Sequence, residues 1–362
     1  MAGVFRYVQD LIIEQARLGF EVGLICDRYI ANEISRYKTQ EFQNLCKLGI
    51  FEIPMTTRLG FSDIRCLRKI RKIAENSQAH VLHGHGPKAA AYTRLATAKM
   101  NRHGKKIASF YTPLSQNIDS AGNTFTGSFK RAAERRLATY TDGIIFESTY
   151  CANIFQQHIG DVLCPHRIIP HGIRSQEVEG HTVNENVYDF IFAGDLNKNS
   201  GIDLFIKAMS NITVQTPVTA LIVGNGSEKT NVKRQIRKLG FSQHIQLQDQ
   251  SPYEADFRQA RCCVIPARRQ EIFPYIFLNA ALSEIPIIAT NTGIISEITS
   301  GTSKTLLPTD DSRALLERME AFLLDSLPFE IEAELFAEHV DKMFSAQRMT
   351  DAIMEFYFTA VI

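Results

Sequence analysis

The sequence predicts an α/β protein of two doubly wound domains, each with a parallel sheet covered by helices on both faces. Short apolar runs alternate with longer amphipathic stretches, and this alternation occurs twice along the 362 residues. The length favours two domains as well, at roughly 100–200 residues per domain. The polar and aperiodic stretch 170–187 separates the two alternating regions, as a linker would.

The first domain is expected over residues 1–170, with strands at 22–26, 81–83, 107–111 and 143–147 and helices between them. A doubly wound domain normally opens with a strand whose first loop carries glycines. Here helix-like sequence follows Met1-Ala2-Gly3 directly, so the first strand is expected to be missing. Either the gene is truncated or its start lies further upstream.

The second domain is expected over residues 187–345, with strands at 189–193, 219–223, 244–247, 262–266 and 285–289. Residues 346–362 hold an amphipathic helix. Since this helix trails the second domain, we predict that it returns to the first one.

Composition excludes several classes of protein. No stretch approaches the ~20 apolar residues that span a bilayer, and the first ten residues lack the layout of a signal peptide. A cytoplasmic location is therefore expected. The seven cysteines show no C-x-x-C pair, which argues against a disulfide framework and a zinc site.

Charge divides the chain unevenly. Residues 1–165 carry 22 Lys+Arg against 14 Asp+Glu, whereas the remainder carries 18 against 25. Such asymmetry indicates that the first half faces an anionic partner: lipid, a phosphorylated acceptor or nucleic acid. The lack of Trp and of a nucleic-acid motif argues against the last.

A basic helix is predicted around residues 62–75, where apolar residues at helical spacing interleave with five cations: Arg65, Arg68, Lys69, Arg71 and Lys72. Two interpretations stay open. The cations form either a solvated helix face or a patch that docks on an anionic membrane surface.

The segment 265–281 carries the most chemical information. A strand ends at Pro266, a loop carries Glu271, and Pro274 suits the first position of a helix. Free backbone N–H groups at a helix start bind anions such as a diphosphate. Glu271 could accept hydrogen bonds from sugar hydroxyls, unless it is merely a solvated loop acid, and Asn279 could reach a ribose.

This segment resembles the E-x7-E motif of the retaining family 4 glycosyltransferases, and further motifs follow the family's order. They are the H-x-H loop at 81–86, the G-R-L…K-G stretch at 192–203, the V-G-x-G turn at 223–226 and the A-T…G…E stretch at 288–297. Tyr111-Thr112-Pro113 is most similar to the subset that builds bacterial exopolysaccharides and lipopolysaccharides. The resemblance implies the GT-B fold, with two Rossmann-like domains facing across a cleft.

The resemblance also implies roles for single residues. His85, beside the donor sugar, and Glu271 would be the catalytic residues, while His83 would be structural. The expected donor-binding residues are Gly3, Gly194, Asp195, Lys198, Gly224, Phe273 and Asn279. No metal or other cofactor is implied.

Several motif positions depart from the family pattern. Asn279 stands for the second Glu, Asp195 for the usual Arg, and Ser200 for the usual Lys. Lys198 could substitute for that lysine, with Arg268 and Arg269 as further candidate cations. Leu114 stands where the subset tends to have His.

The function that the resemblance implies is transfer of a sugar from a nucleotide-diphosphate sugar to a polysaccharide or lipid-linked acceptor, with retention of anomeric configuration. Its place would be the cytoplasm, at the inner face of the membrane. Two alternatives remain: a catalytically impaired relative that binds a sugar nucleotide or a partner protein, and a nucleotide-sugar epimerase on the same fold.

Overall fold

The structure is a computed structural model. It describes residues 2–28, 43–55, 60–104, 106–113, 125–174, 187–213, 217–249, 255–269, 274–299 and 306–361. Glu271, Phe273 and Leu114 lie outside these residues. The chain forms two compact units: unit 1 is Met1–Gly172 with Ala346–Ile362, and unit 2 is Ile173–Ser345.

Unit 1 alternates helices and strands. Its elements are, in chain order, α1 (Ala2–Arg17), β1 (Gly23–Asp27), β2 (Gly49–Ile53), α2 (Phe61–Asn76), β3 (Val81–His85), α3 (Pro87–Asn101), β4 (Ala108–Thr112), α4 (Phe125–Ala138), β5 (Gly143–Phe146), α5 (Thr149–His158) and β6 (His166–Ile168). β1 and β2 form a parallel pair, and the other four strands form a parallel sheet in the order β3-β4-β5-β6. The described part of the chain thus begins with a helix.

Unit 2 is built on a five-stranded sheet. Its elements are β7 (Tyr188–Ala193), α6 (Ile202–Thr213), β8 (Ala220–Val223), α7 (Lys229–Lys238), β9 (Ile245–Gln248), β10 (Ala260–Ile265), α8 (Tyr275–Leu282), β11 (Ile287–Ala289), α9 (Ile294–Ile298), α10 (Ser312–Leu324) and α11 (Leu327–Met343). The order is β11-β10-β7-β8-β9, and all pairs are parallel. Every residue of β8 is buried, as expected of a strand covered on both faces.

The last helix, α12 (Ala346–Val361), belongs to unit 1. Its Phe356 and Tyr357 rings lie 5.2 and 4.6 Å from the ring of Phe110 on β4. Aromatic packing of this kind buries a large apolar area, so α12 completes the unit 1 core although it follows unit 2 in sequence.

Helix α3 packs directly on β3 because the strand has a glycine where they cross. A Cβ at Gly84 would lie 2.4 Å from the Cα of Ala90. No larger residue fits there, and the contact fixes the position of the flanking His83 and His85. Among the described residues, no helix is long and apolar enough to cross a membrane.

Candidate active site

At the carboxyl edge of the unit 2 sheet, the loops after β7 and β8 touch through their backbones. Gly194 donates its N–H to the Val223 carbonyl over 3.1 Å. Gly224 has φ +158°, and a Cβ there would lie only 2.0 Å from the Gly194 carbonyl oxygen. The V-G-x-G turn therefore needs its first glycine for close approach of two main chains.

The loop after β10 is fastened to the loop after β7 in a similar way. A Cβ at Gly201 would lie 1.9 Å from the Pro266 carbonyl oxygen, and the Arg268 N–H donates to the Asn199 carbonyl over 2.8 Å. The loops after the three neighbouring strands β10, β7 and β8 are thus locked into one surface. Open α/β sheets bind ligands at this edge.

Arg268 fastens the loop after β10 to α6 and to the segment before α10 through ion pairs. Its guanidinium lies 2.6 Å from Asp310 and makes two hydrogen bonds of 2.6 and 2.8 Å to Asp203. The Arg268 hydrogen bonds hold the pKa of Asp203 below its usual value. Arg268 was a candidate cation for the donor diphosphate, but Asp203 and Asp310 already occupy its guanidinium.

The other predicted donor-side residues lie around this surface. Asp195 and Lys198, in the loop after β7, are exposed. Asn279 is half-buried on α8, which starts just after Pro274. The structure brings Gly194 and Gly224 into contact, whereas the positions of Glu271 and Phe273 fall outside the described residues.

In unit 1, His83 and His85 end strand β3 with their rings 4.1 Å apart. The two ring nitrogens of His83 lie 2.5 Å from the Tyr357 hydroxyl and 2.8 Å from the Thr112 hydroxyl. With both nitrogens engaged, His83 ties β3 to β4 and α12. This is the structural role that the family resemblance implies for it.

His85 lies against Tyr7 of α1, with ring centroids 5.3 Å apart. Burial lowers the pKa of His85 to about 4, so its imidazole is neutral at pH 7. Its Nδ1 is buried and has no hydrogen-bond partner in the described part of the chain. A neutral imidazole both donates and accepts, which suits a role beside sugar hydroxyls.

Three further residues lie at the carboxyl edge of the unit 1 sheet and were not predicted from the sequence: Tyr7, Glu147 and His171. Tyr7 packs between His85 and His171, whose ring is 5.1 Å away. Burial lowers the pKa of His171 to about 3, helped by the charge of Arg6. Glu147, directly after β5, is 1% exposed, and neither carboxyl oxygen has a hydrogen-bond partner among the described residues.

Burial also raises the pKa of Glu147 well above its usual value, which favours the neutral acid. A signal for these residues was present, because Glu147 and His171 each follow a strand of a parallel sheet closely. Gly3, expected among the donor-binding residues, lies in the first turn of α1.

The cations predicted on one helix are largely exposed. Arg65, Arg68, Lys69 and Lys72 lie on the outer face of α2, while Arg71 is partly covered and pairs with Glu75 at 3.5 Å. The interleaved Leu67, Ile70 and Ile73 pack into the unit 1 core. Apolar exposure on this helix comes instead from Ile64 and from Phe61, which is 91% exposed.

Two family models match the chain, and they meet near the boundary between the two units. Residues 1–177 match the model described as Glycosyltransferase Family 4, and residues 174–342 match the model described as Glycosyl transferases group 1. An O-antigen chain mannosyltransferase C of Escherichia coli is 26% identical over 209 residues, which cover 53% of this chain and 54% of that protein.

A lipopolysaccharide core biosynthesis mannosyltransferase of Rhizobium meliloti is 24% identical over 141 residues, covering 36% of this chain and 40% of that protein. The matched region thus spans about half, or less, of the length of these curated relatives.

Solved structures agree on the fold. A glycosyltransferase from Rickettsia africae superposes with a TM-score of 0.77 at 16% identity, over 98% of this chain and 94% of that one. Anabaena HepE in complex with UDP and glucose gives 0.77 at 16% identity, over 99% and 96%. The chain belongs to the group 1, family 4 glycosyltransferases and has their GT-B fold of two Rossmann-like domains.

Proposed function

We propose that this protein transfers a hexose from a nucleoside-diphosphate sugar to a polysaccharide or lipid-linked acceptor, with retention of the anomeric configuration. The observation that carries the proposal is the surface at the carboxyl edge of unit 2, where Gly201, Gly224 and Gly226 let three loops pack backbone to backbone. The relatives that are named as mannosyltransferases of O-antigen and lipopolysaccharide core support the acceptor class.

In this proposal the donor diphosphate lies over those loops, near the N-terminal end of α8. Backbone N–H groups at a helix start stabilise the charge that develops on a departing diphosphate. Lys198 is the exposed cation of the loop after β7, and it takes the place of the missing motif lysine. Among the described residues, no group of three His, Cys, Asp or Glu is arranged to hold a metal ion.

The nucleotide site is tested by calorimetry with several nucleoside diphosphates. Replacing Asn279 by Ala should weaken binding by roughly 0.5–1.5 kcal/mol, because one hydrogen bond to the ribose is lost. Asn211 is an exposed asparagine in the last turn of α6, in the same unit, and Asn211→Ala is the matched control. Equal affinities for all three proteins would remove Asn279 from the site.

His85 is tested through turnover. His85→Ala should lower kcat strongly while leaving the affinity for the free nucleoside diphosphate unchanged, because the proposed contact is with the sugar. Proton NMR of the product reports whether the anomeric configuration is retained. An inverted product, or a His85→Ala enzyme as fast as wild type, would contradict the mechanism.

The same assay separates the two alternatives. Donor turnover only when an acceptor is present supports the transferase. Conversion of the donor to its epimer without acceptor would identify an epimerase. Nucleotide binding with no turnover across a panel of donors and acceptors would identify a catalytically impaired relative.

We further propose that unit 1 docks on the inner, anionic surface of a membrane from the cytoplasm, through the outer face of α2. Arg65, Arg68 and Lys72 share this face with Phe61. Each cation near anionic lipid contributes about 1 kcal/mol, and an aromatic ring suits the interface. In co-sedimentation, the protein should bind anionic vesicles and not neutral ones, and Lys69→Glu/Lys72→Glu should abolish this binding. Equal pelleting with both kinds of vesicle would contradict the docking proposal.

A further inference from the structure

Two rings flank His85, the histidine that the proposed function places beside the sugar. The Tyr7 ring lies edge-on to the imidazole, with ring centroids 5.3 Å apart, and the centroid of the His83 ring is 4.1 Å away. Ring contacts of this kind are individually weak. They fix the His85 imidazole only as firmly as the two flanking rings are themselves fixed.

Both flanking rings are hydrogen-bonded to the same hydroxyl group, that of Thr112. Its Oγ1 lies 2.8 Å from Nε2 of His83, and its side chain is also hydrogen-bonded to the Tyr7 hydroxyl. A hydroxyl has one proton to donate and two lone pairs that accept, so a single threonine can hold both rings at once. Thr112 is 0% exposed, and bulk water therefore does not compete for these bonds.

The sheet explains how Thr112 reaches both rings. Thr112 is the last residue of β4 and lies opposite His85 in the parallel register of β3 and β4. Paired residues of neighbouring strands point to the same face of a sheet. The Thr112 carbonyl oxygen also accepts the Gly86 N–H over 3.0 Å. One residue thus holds the backbone directly after His85 and the two rings beside its imidazole.

The flanking rings are fixed on their other sides as well. Nδ1 of His83 lies 2.5 Å from the Tyr357 hydroxyl on α12, and the Tyr7 ring also packs against His171. Burial lowers the pKa of His83 and raises the pKa of both tyrosines, so all three groups are uncharged at pH 7. Buried polar networks whose members are all hydrogen-bonded are rigid.

We propose that Thr112 is a positioning residue of the transferase. Through its single hydroxyl it fixes the two rings that hold the His85 imidazole in place. Thr112 is fully buried and acts on the reaction only through those rings. This role rests on the proposed function, in which His85 contacts the sugar.

Turnover of Thr112→Val tests the role, because valine keeps the size of the side chain and lacks the hydroxyl. We expect kcat to fall roughly 10- to 100-fold, since small misplacements of a catalytic group have effects of this order. The affinity for a free nucleoside diphosphate, measured by calorimetry, should not change, because the proposed nucleotide site lies in unit 2. Thr112→Ser keeps the hydroxyl and should restore most of the rate.

Thr97→Val is the matched control. Thr97 is also buried in unit 1, at 1% exposed, and its hydroxyl also makes two hydrogen bonds, of 3.1 Å to the Thr93 carbonyl and 3.0 Å to the Arg94 carbonyl. Both bonds lie within α3 and neither involves the rings beside His85. The change should cost a similar amount of stability and leave kcat unchanged. Circular dichroism melts report whether each variant folds.

Proton NMR follows the ring contacts independently of turnover. The ring currents of Tyr7 and His83 should displace the His85 ring protons from their random-coil shifts. Thr112→Val should reduce this displacement, and Thr97→Val should not. A merely structural role would lower the melting temperature without moving these resonances in the folded protein.

Three results would overturn the proposal. They are a Thr112→Val protein as fast as wild type, His85 resonances that do not respond to this substitution, and a folded Thr112→Ser protein as slow as Thr112→Val. A different result would count against the proposed function itself. If wild-type protein binds nucleotide but turns over no donor with any acceptor, the transferase activity falls and this role falls with it.

Discussion

The carboxyl edges of the two parallel sheets differ in what fills them. In unit 2, main chain meets main chain, and Gly201, Gly224 and Gly226 leave the surface free of side chains where the loops cross. In unit 1, rings and a carboxyl fill the edge. Tyr7 and Glu147 are buried and His85 is half-buried, and the pKa shifts of all three favour their neutral forms. A backbone surface suits a charged diphosphate, whereas neutral side chains suit hydroxyl groups.

The largest effect is expected from adding one methyl group to the backbone surface of unit 2. Gly224→Ala forces a Cβ against the Gly194 carbonyl oxygen at a positive φ. We expect unit 2 to lose about 3 kcal/mol of unfolding free energy or more, together with nucleotide binding. Gly240→Ala, at φ +76° but with open space around it, should cost only about 1 kcal/mol.

Urea denaturation followed by circular dichroism measures both glycine variants. If Gly240→Ala were as damaging as Gly224→Ala, the close approach of the loops would not be what requires glycine.

Glu147→Gln tests whether the carboxyl edge of unit 1 is held neutral, because glutamine keeps the shape of the acid but cannot ionise. Burial raises the pKa of Glu147 in the folded protein, so protonation of this carboxyl stabilises the folded state. That contribution is fully present below the pKa of the unfolded chain and is lost as pH rises through the folded pKa. The melting temperature of the variant should therefore rise relative to wild type as pH increases.

Differential scanning calorimetry between pH 6.5 and 9 is the measurement. The lowered pKa values of His85 and His171 act in the opposite sense. Their contribution to stability is fully present above pH 6.5 and is lost as pH falls through the folded pKa, about 4 for His85 and about 3 for His171. Above pH 6.5 both histidines contribute a constant amount. A difference between the variant and wild type that does not depend on pH would show that Glu147 is not held neutral.

A smaller effect is expected at the rim of the unit 2 edge. Arg268→Gln removes the ion pairs to Asp203 and Asp310, which are solvent-screened in part, so we expect a loss of about 1 kcal/mol. Arg313→Gln breaks the fully exposed pair with Glu317 and should not change stability measurably. Thermal unfolding compares the stabilities of the two variants. Tighter nucleotide binding by Arg268→Gln would show that the Arg268 charge is not needed at the diphosphate.

The sequence by itself determined the two-domain α/β fold and the positions of most strands along the chain. Apolar runs such as β7 and β8 are fully or nearly buried, and burial on both faces leaves an apolar pattern that can be read directly. The motifs around Gly194 and Gly224 were readable for the same local reason, since a turn that needs glycine requires it at one fixed position.

Only the tertiary structure decided the edge of unit 1. Strands β2 and β6 are only partly buried, so neither leaves a continuous apolar run in the sequence. Tyr7 meets His171 only because α1 and the segment after β6 converge in space. Tertiary structure likewise assigned Arg268 to Asp203 and Asp310. Its partners are separated by dozens of residues along the chain, and a charge does not reveal from sequence alone which opposite charge it will meet.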